Sequence, residues 1–307
     1  MTELRTVHLP TAHNSFYHIA GFCILFLNKI RHAIQGYRSP RPFPVSEIDR
    51  AIDYDYSVVD RWTETLSEYV GAPVSLENRA ILELGPGADL GAGLITLLRG
   101  ARKYNALDVN NLVATVPKAL YDALFAKMHR DGAAEDEISL LSQQLDLTLA
   151  GSNDRLNYVV RGDFDITAFA NEGIDTVFSQ AAFEHFDDIP ATFARLTRTV
   201  RPGAVLIAEI DLSTHTRWIR DIDPLNIYRY SDFIYNLFRF AGSPNRVRPG
   251  EYVKILRELG WENVQVKPLV RVDDQYLAGV IPRLARRFRD ASAEIEFLSV
   301  MLCATRP

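Results

Sequence analysis

From residue 80 onward, short apolar runs alternate with longer stretches of helical periodicity. Ala80 to Leu84, Tyr104 to Val109, Tyr158 to Val160, Ile174 to Phe178 and Val205 to Ile210 have the length of strands. Several are apolar on both faces, as parallel strands covered by helices on each side must be. Between them, Asp187-Asp188-Ile189-Pro190 offers capping residues ahead of a first-turn proline, and Arg201-Pro202-Gly203 ends that helix before the next strand. Glu251 to Leu259 is apolar at 252, 253, 255, 256 and 259, with Gly260 as a C-terminal cap before a strand at Val264 to Val270. A last strand is expected over Phe297 to Ala304. This order predicts an α/β fold, a doubly wound sheet.

Residues 1 to about 75 read as helical. Apolar residues at 16, 19, 20, 23, 26, 27, 30 and 34 form one helical stripe. Its expected role is packing on the domain or on a second subunit as a homodimer, with contact with a membrane surface as the alternative. The run Ile19 to Leu27 is far shorter than the ~20 apolar residues that span a bilayer. The flanking Glu3, Arg5, His8, His13, Asn28 and Lys29 do not suit a cleaved signal peptide. A second stripe, Tyr54, Val58, Trp62, Leu66 and Tyr69, ends near Gly71-Ala72-Pro73. The expected division is an N-terminal helical cap over 1–75 and a domain over 76–307. An inserted helical lid is placed at about 214–250, because His215 to Arg248 is rich in aromatics and arginines where a simple α/β unit has a short connection.

Composition narrows the setting. A chain of 307 residues with 47% hydrophobic content can build a full core, and a net charge of -5 lacks the basic excess of a protein that grips nucleic acid phosphates, so no nucleic acid partner is expected. Cys23 and Cys303 are too far apart in sequence to suggest a disulfide framework or zinc cluster, and fit a reduced, cytoplasmic location.

The chemistry concentrates at Ile81-Leu82-Glu83-Leu84-Gly85-Pro86-Gly87-Ala88-Asp89-Leu90-Gly91, a strand entering a glycine turn ahead of a helix at Ala92 to Leu98. Glycines let backbone approach a ligand, and the helix start presents unpaired N–H groups. The spacing G-x-G-x-x-x-G departs from the dinucleotide fingerprint but occurs in some NADP enzymes, so the glycines alone leave an NADP-dependent oxidoreductase open. Asp108, about 20 residues beyond, stands where a carboxylate receives ribose hydroxyls in either case.

Glu83-Leu-Gly85-Pro-Gly87, Asp108, Gly162-Asp163-Phe164 and Asp175-Thr-Val-Phe-Ser-Gln-Ala-Ala-Phe-Glu184-His185 together resemble the successive motifs of class I S-adenosylmethionine-dependent methyltransferases over residues 76–210. The resemblance implies a Rossmann-like, mostly parallel sheet with an antiparallel last strand, and S-adenosylmethionine as methyl donor. It implies roles for particular residues. Gly85, Pro86 and Gly87 would lie against the methionine part, with Glu83 ordering the turn and the amino group. Asp108, with Val109 beside it, would hold the ribose. Asp163 and Phe164 would flank adenine, and Gln180 would meet the methionyl group. The family's usual third glycine is Asp89 here, and Gly91 follows two positions later.

On the acceptor side, a hydroxyl needs a base, and histidine titrates near neutrality. His215 follows the fifth strand and His185 the fourth, in the region beyond the carboxyl ends of the strands where ligands bind. Asp211, His215 and Asp223 are an alternative set for Mg²⁺. The lid resembles acceptor-side insertions of bacterial methyltransferases of polysaccharide and natural-product pathways. Asp211, Arg229, Tyr230 and Arg246 are the expected substrate contacts, since aromatic faces stack on sugars and arginine forks bind anions. Arg283, Arg286, Arg287 and Arg289 read as a solvated face. The function expected is O-methylation of a small-molecule or sugar-like acceptor, with N- or C-methylation as alternatives. The NADP reading lacks a Tyr-x-x-x-Lys relay.

Overall fold

The computed structural model describes residues 4–10, 14–36 and 43–307; Glu3 and His13, weighed above against a signal peptide, lie outside them. In chain order the elements are β1 (Arg5–Val7), α1 (Asn14–Gln35), α2 (Ile48–Val70), β2 (Ala80–Leu84), α3 (Gly91–Leu98), β3 (Lys103–Asp108), α4 (Lys118–Arg130), α5 (Glu135–Leu149), β4 (Leu156–Val160), β5 (Thr176–Gln180), α6 (Ile189–Thr199), β6 (Val205–Asp211), α7 (Arg217–Arg220), α8 (Asp232–Phe238), α9 (Pro249–Glu258), β7 (Glu262–Val272), α10 (Asp274–Val280) and β8 (Phe297–Thr305). The sheet order is β1-β7-β8-β6-β5-β2-β3-β4, mostly parallel, with β8 antiparallel between β7 and β6. The strands expected from 80 onward all form.

The chain divides into two compact units, one of residues 1–38, 181–193 and 209–302 and the other of 39–180, 194–208 and 303–307. The expected single cap over 1–75 is therefore divided, α1 belonging to the first unit and α2 to the second. The reading of 1–75 as helical also missed β1, three residues paired in parallel with β7 from Arg5 opposite Val270 to Val7 opposite Val272. An edge strand this short has no periodicity to read.

In the second unit, β2 is flanked by β3 and β5, Leu82 lying opposite both Asn105 and Val177. Helix α2 buries Ala51, Ile52, Asp55, Val58, Val59, Trp62 and Leu66, and Trp62 stacks on Phe178 at 4.8 Å between ring centroids. The stripe expected through Tyr54 is rotated, so that Tyr54 is exposed and Asp55 is buried in its place.

In the first unit, Tyr228, Tyr230, Tyr235, Tyr276 and Phe288 build an aromatic core. It encloses a fully buried ion pair, Arg229 donating to Asp223 through Nε and Nη2 at 2.8 and 2.9 Å. Helix α1 meets this unit through Tyr17, Gly21 and Ile24. Glycine is required at 21 because a Cβ would lie 2.0 Å from Asn226 Oδ1 and 2.3 Å from the Tyr230 hydroxyl. The apolar stripe, expected to pack on the domain or on a second subunit, is mostly exposed on this chain, including Phe16, Ile19, Phe26 and Ile34.

Candidate active site

Two groups of chemically active side chains form, one in each unit. In the second unit, β2 ends at Leu84 and the chain turns through Gly85 and Gly87 at φ of 76° and 80°, left-handed values that glycine adopts without strain. Helix α3 then starts at Gly91. A Cβ there would lie 2.0 Å from Asp55 Oδ2, so the displaced third glycine makes room for a carboxylate from α2.

Asp55, Glu83, Asp89 and Asp108 gather around this turn, and the carboxyls of all four are raised above their ordinary range. Burial is the largest cause at each. For Glu83, burial together with the charges of Asp89 and Asp108 pushes the carboxyl up to about 8. Neutral donors supply part of the compensation. Tyr104 donates its hydroxyl proton to Glu83, the Gly91 N–H donates to Asp89 at 2.8 Å, and the Asn110 N–H donates to Asp108 at 3.0 Å. Two buried oxygens, Asp55 Oδ2 and Gln180 Oε1, have no hydrogen-bond partner. The donor set is short of positive charge and of hydrogen-bond donors, which suits a cationic ligand bearing hydroxyl groups.

Of the residues expected to hold the donor, Glu83, Gly85, Pro86, Gly87, Asp108 and Val109 lie along this turn and the end of β3, and Gln180 ends β5. Asp163 differs: it is exposed, and Arg161 holds it through two bonds of 2.9 and 2.8 Å, keeping its carboxyl down at about 2. It also accepts the Asp165 N–H at 3.3 Å, so it shapes its own turn. Phe164 follows, half-buried, at φ 46°. Asp55 was missed by sequence reasoning, although a carboxylate set in the middle of the stripe 51, 52, 55, 58, 59, 62 signals it.

In the first unit, the segments after β5 and β6 bring Glu184, His185 and His215 together. Glu184 is buried, and neither of its carboxylate oxygens has a hydrogen-bond partner. Its Oε1 stands 3.7 Å from His215 Nε2, an ion-pair distance too long for a hydrogen bond. The His215 Nδ1–H donates to the Ser213 carbonyl at 2.9 Å, which leaves Nε2 as the free acceptor of the neutral ring. His185 donates its Nδ1–H to the Gly242 carbonyl at 2.6 Å, and its ring stands edge-on to that of His215, 4.7 Å between centroids.

Electrostatics separate the two imidazoles. Burial, assisted by His215, pushes His185 down to about 4, so it is neutral at physiological pH. At His215 burial also opposes protonation, but Glu184 and Asp211 outweigh it and raise the ring. Burial raises the Glu184 carboxyl in turn. One ligand atom from each of these three residues lies within 4.8 Å of the others. A divalent ion would need them to close to roughly 3 Å, given ligand bonds of about 2 Å.

The expected substrate contacts already have partners within the chain. Arg229 is spent on Asp223, the Tyr230 hydroxyl donates to the His18 carbonyl at 2.7 Å, and Arg246 donates to the Ile227 and Tyr230 carbonyls at 3.0 and 2.7 Å and pairs with Asp232. All three are buried braces of the aromatic core. Asp211 accepts from the Ser213 N–H and hydroxyl at 2.9 and 2.6 Å and from Arg220 at 2.6 Å, so it orders the loop that carries His215. The set Asp211, His215 and Asp223 for Mg²⁺ fails, because Asp223 is sealed by Arg229, Asn226 and Tyr276.

A family model described as a methyltransferase domain matches residues 124–208. No curated protein matches the chain in sequence. Among solved structures, the CurJ carbon methyltransferase is 14% identical, with a TM-score of 0.46 over 95% of this chain and 68% of its own. Phosphoethanolamine N-methyltransferase 2 of Haemonchus contortus, in complex with S-adenosyl-L-methionine, is 13% identical, with a TM-score of 0.44 over 83% of this chain and 52% of its own. A geranyl diphosphate methyltransferase in complex with the same compound is 12% identical, with a TM-score of 0.40 over 83% and 85%. Among the described residues, no helix is long and apolar enough to cross a membrane.

Proposed function

We propose that this chain, whose residues 124–208 match a methyltransferase family model, carries a class I methyltransferase domain and moves the methyl group of S-adenosylmethionine to a hydroxyl of a small-molecule or sugar-like acceptor. The observation that carries the acceptor side is the buried cluster of Glu184 with His215, whose Nε2 is free to take a proton. The donor side rests on the four carboxylates at the glycine turn.

When bound, S-adenosylmethionine supplies a methyl group on a sulfonium centre, together with a cationic ammonium. Asp55 and Glu83 would balance that charge, Asp108 would hold the ribose hydroxyls with Val109 beside it, and the backbone at Gly85, Pro86 and Gly87 would lie against the methionine part. The unpartnered Gln180 Oε1 accepts a hydrogen bond there. Phe164, half-buried beside Asp163, would flank adenine, and Asp163 would join it only if released by Arg161. An acceptor hydroxyl held at the Glu184 and His215 cluster would gain the methyl group as it loses its proton. The hydroxyl proton passes to His215 Nε2. Glu184 stabilises the resulting imidazolium, and Asp211 fixes the loop. The neutral His185 accepts a hydrogen bond from the acceptor through Nε2.

The test is product formation with hydroxyl, amine and carbon-acid acceptors, for the wild type and His215→Ala. Transfer to hydroxyls that falls about 10²-fold or more in the variant, with donor affinity unchanged, supports the reading. Transfer to amines alone, indifferent to His215, would replace it with N-methylation. Loss of activity in EDTA and its return with Mg²⁺ would move the cluster from base to metal ligand.

A further inference from the structure

We propose that the exposed face of α1, with the arginine-lined cavity at its N-terminal end, docks onto a membrane surface containing anionic phospholipid. The inference is independent of the transfer reaction and concerns the first unit alone.

Helix α1 packs through its narrow side. Phe16, Ile19, Phe26, Leu27, Ile30 and Ile34 on its other side are each at least 41% exposed. Phe233 and Leu237 of α8, which packs against α1 through Phe238, extend this apolar surface. Contiguous exposed apolar surface of this kind marks a site of association. The helix contains no acidic residue and carries Lys29 and Arg31, the composition of a helix that lies in a lipid interface.

Charge decides the occupant. At the start of α1 a cavity of about 570 Å³ is walled by His18, Ile19, Arg229, Arg283, Arg286 and Arg289, and no carboxylate lines it. Arg229 is neutralised by Asp223, so the positive charge of the cavity comes from Arg283, Arg286 and Arg289, in a chain of net charge -5. The Arg229 side chain is fully buried, and its Nη1 has no hydrogen-bond partner. Ile19 belongs both to the apolar face and to the cavity wall, so the two are continuous. An apolar surface that runs into an anion-binding cavity matches a phospholipid, with its phosphate among the arginines and its acyl chains along the helix.

The test is flotation of the full chain with vesicles of phosphatidylcholine alone and of phosphatidylcholine with phosphatidylglycerol, read also by tryptophan fluorescence. Trp62 and Trp261 are buried, so a blue shift on binding reports Trp218, which is exposed beside Thr216, the residue that Asn28 of α1 bonds. Binding is expected to the anionic vesicles, roughly tenfold or more weaker to the neutral ones, and weakened by added salt. Ile19→Ser, Phe26→Ser and Ile34→Ser combined should abolish it, and Arg283→Glu with Arg286→Glu should weaken it by a similar factor, with thermal unfolding unchanged in both. Absence of binding by the wild type, or equal binding to both vesicles, would overturn the proposal. So would a dimer dissolved by the serine variant without any vesicle binding, which would make the face an interface between copies. Glycerol phosphate bound by the protein while vesicles are ignored would reduce the cavity to a site for a small anion and overturn the membrane role.

Discussion

If the carboxylates at the glycine turn await a cation, donor binding must release a proton from Glu83. Its carboxyl stands at about 8, against an ordinary value of 4.5, through burial and the charges of Asp89 and Asp108. At about 1.4 kcal/mol per unit, the ionised form is disfavoured by roughly 5 kcal/mol, an order of magnitude set by a side chain that is 3% exposed. The sign follows from linkage. A raised acid binds its proton in the folded state where the unfolded chain has lost it. Stability should therefore fall as pH rises from about 4.5 to about 8, by up to about 1.4 kcal/mol per unit. An ammonium placed beside Glu83 lowers its carboxyl again, so below pH 8 donor affinity should rise with pH, by up to about tenfold per unit. Calorimetry at pH 7 in two buffers of different ionisation enthalpy reads the proton directly. Wild type should release close to one proton per donor bound, and Glu83→Gln markedly less, while losing its share of the slope in stability. A donor affinity flat with pH, with no proton released and no difference between wild type and Glu83→Gln, would refute the reasoning.

Three further outcomes follow from the packing. Gly91→Ala places a methyl against Asp55 Oδ2, and chemical denaturation should show a loss of about 1–3 kcal/mol that Asp55→Ala in the same chain partly restores. Breaking the buried pair with Arg229→Met should cost about 3–5 kcal/mol, and Asp223→Leu added to it should recover most of that loss. His185→Ala should lower transfer less than His215→Ala does while leaving donor affinity intact, measured by initial rates and calorimetry, because its ring is neutral and accepts a hydrogen bond without taking the proton.

The strands and the glycine turn were legible because both are local. Apolar runs between capping signals read directly as β2 to β8, and the positive φ of Gly85 and Gly87 is a property of the turn itself. What could not be read was set by tertiary contacts that no local pattern announces. The stripe on α1 has ideal spacing for packing inward, but Gly21 draws the helix against Asn226 and Tyr230 by its other side. Arg229 and Arg246 look the same in sequence whether they face a substrate or a carboxylate in the core. Only the fold that brings Asp223 and the Tyr230 carbonyl to them distinguishes the two cases. Glu184 and His215 are likewise joined across 31 positions, a pairing with no trace in local pattern.

Calorimetric titration with S-adenosylmethionine and separately with NADPH, each repeated with Asp108→Ala, tests whether the turn after β2 holds the methyl donor. S-adenosylmethionine should bind in the micromolar range, about fivefold or more weakly to the variant, and NADPH should give no heat. Binding of NADPH alone, or no binding of S-adenosylmethionine, would contradict it.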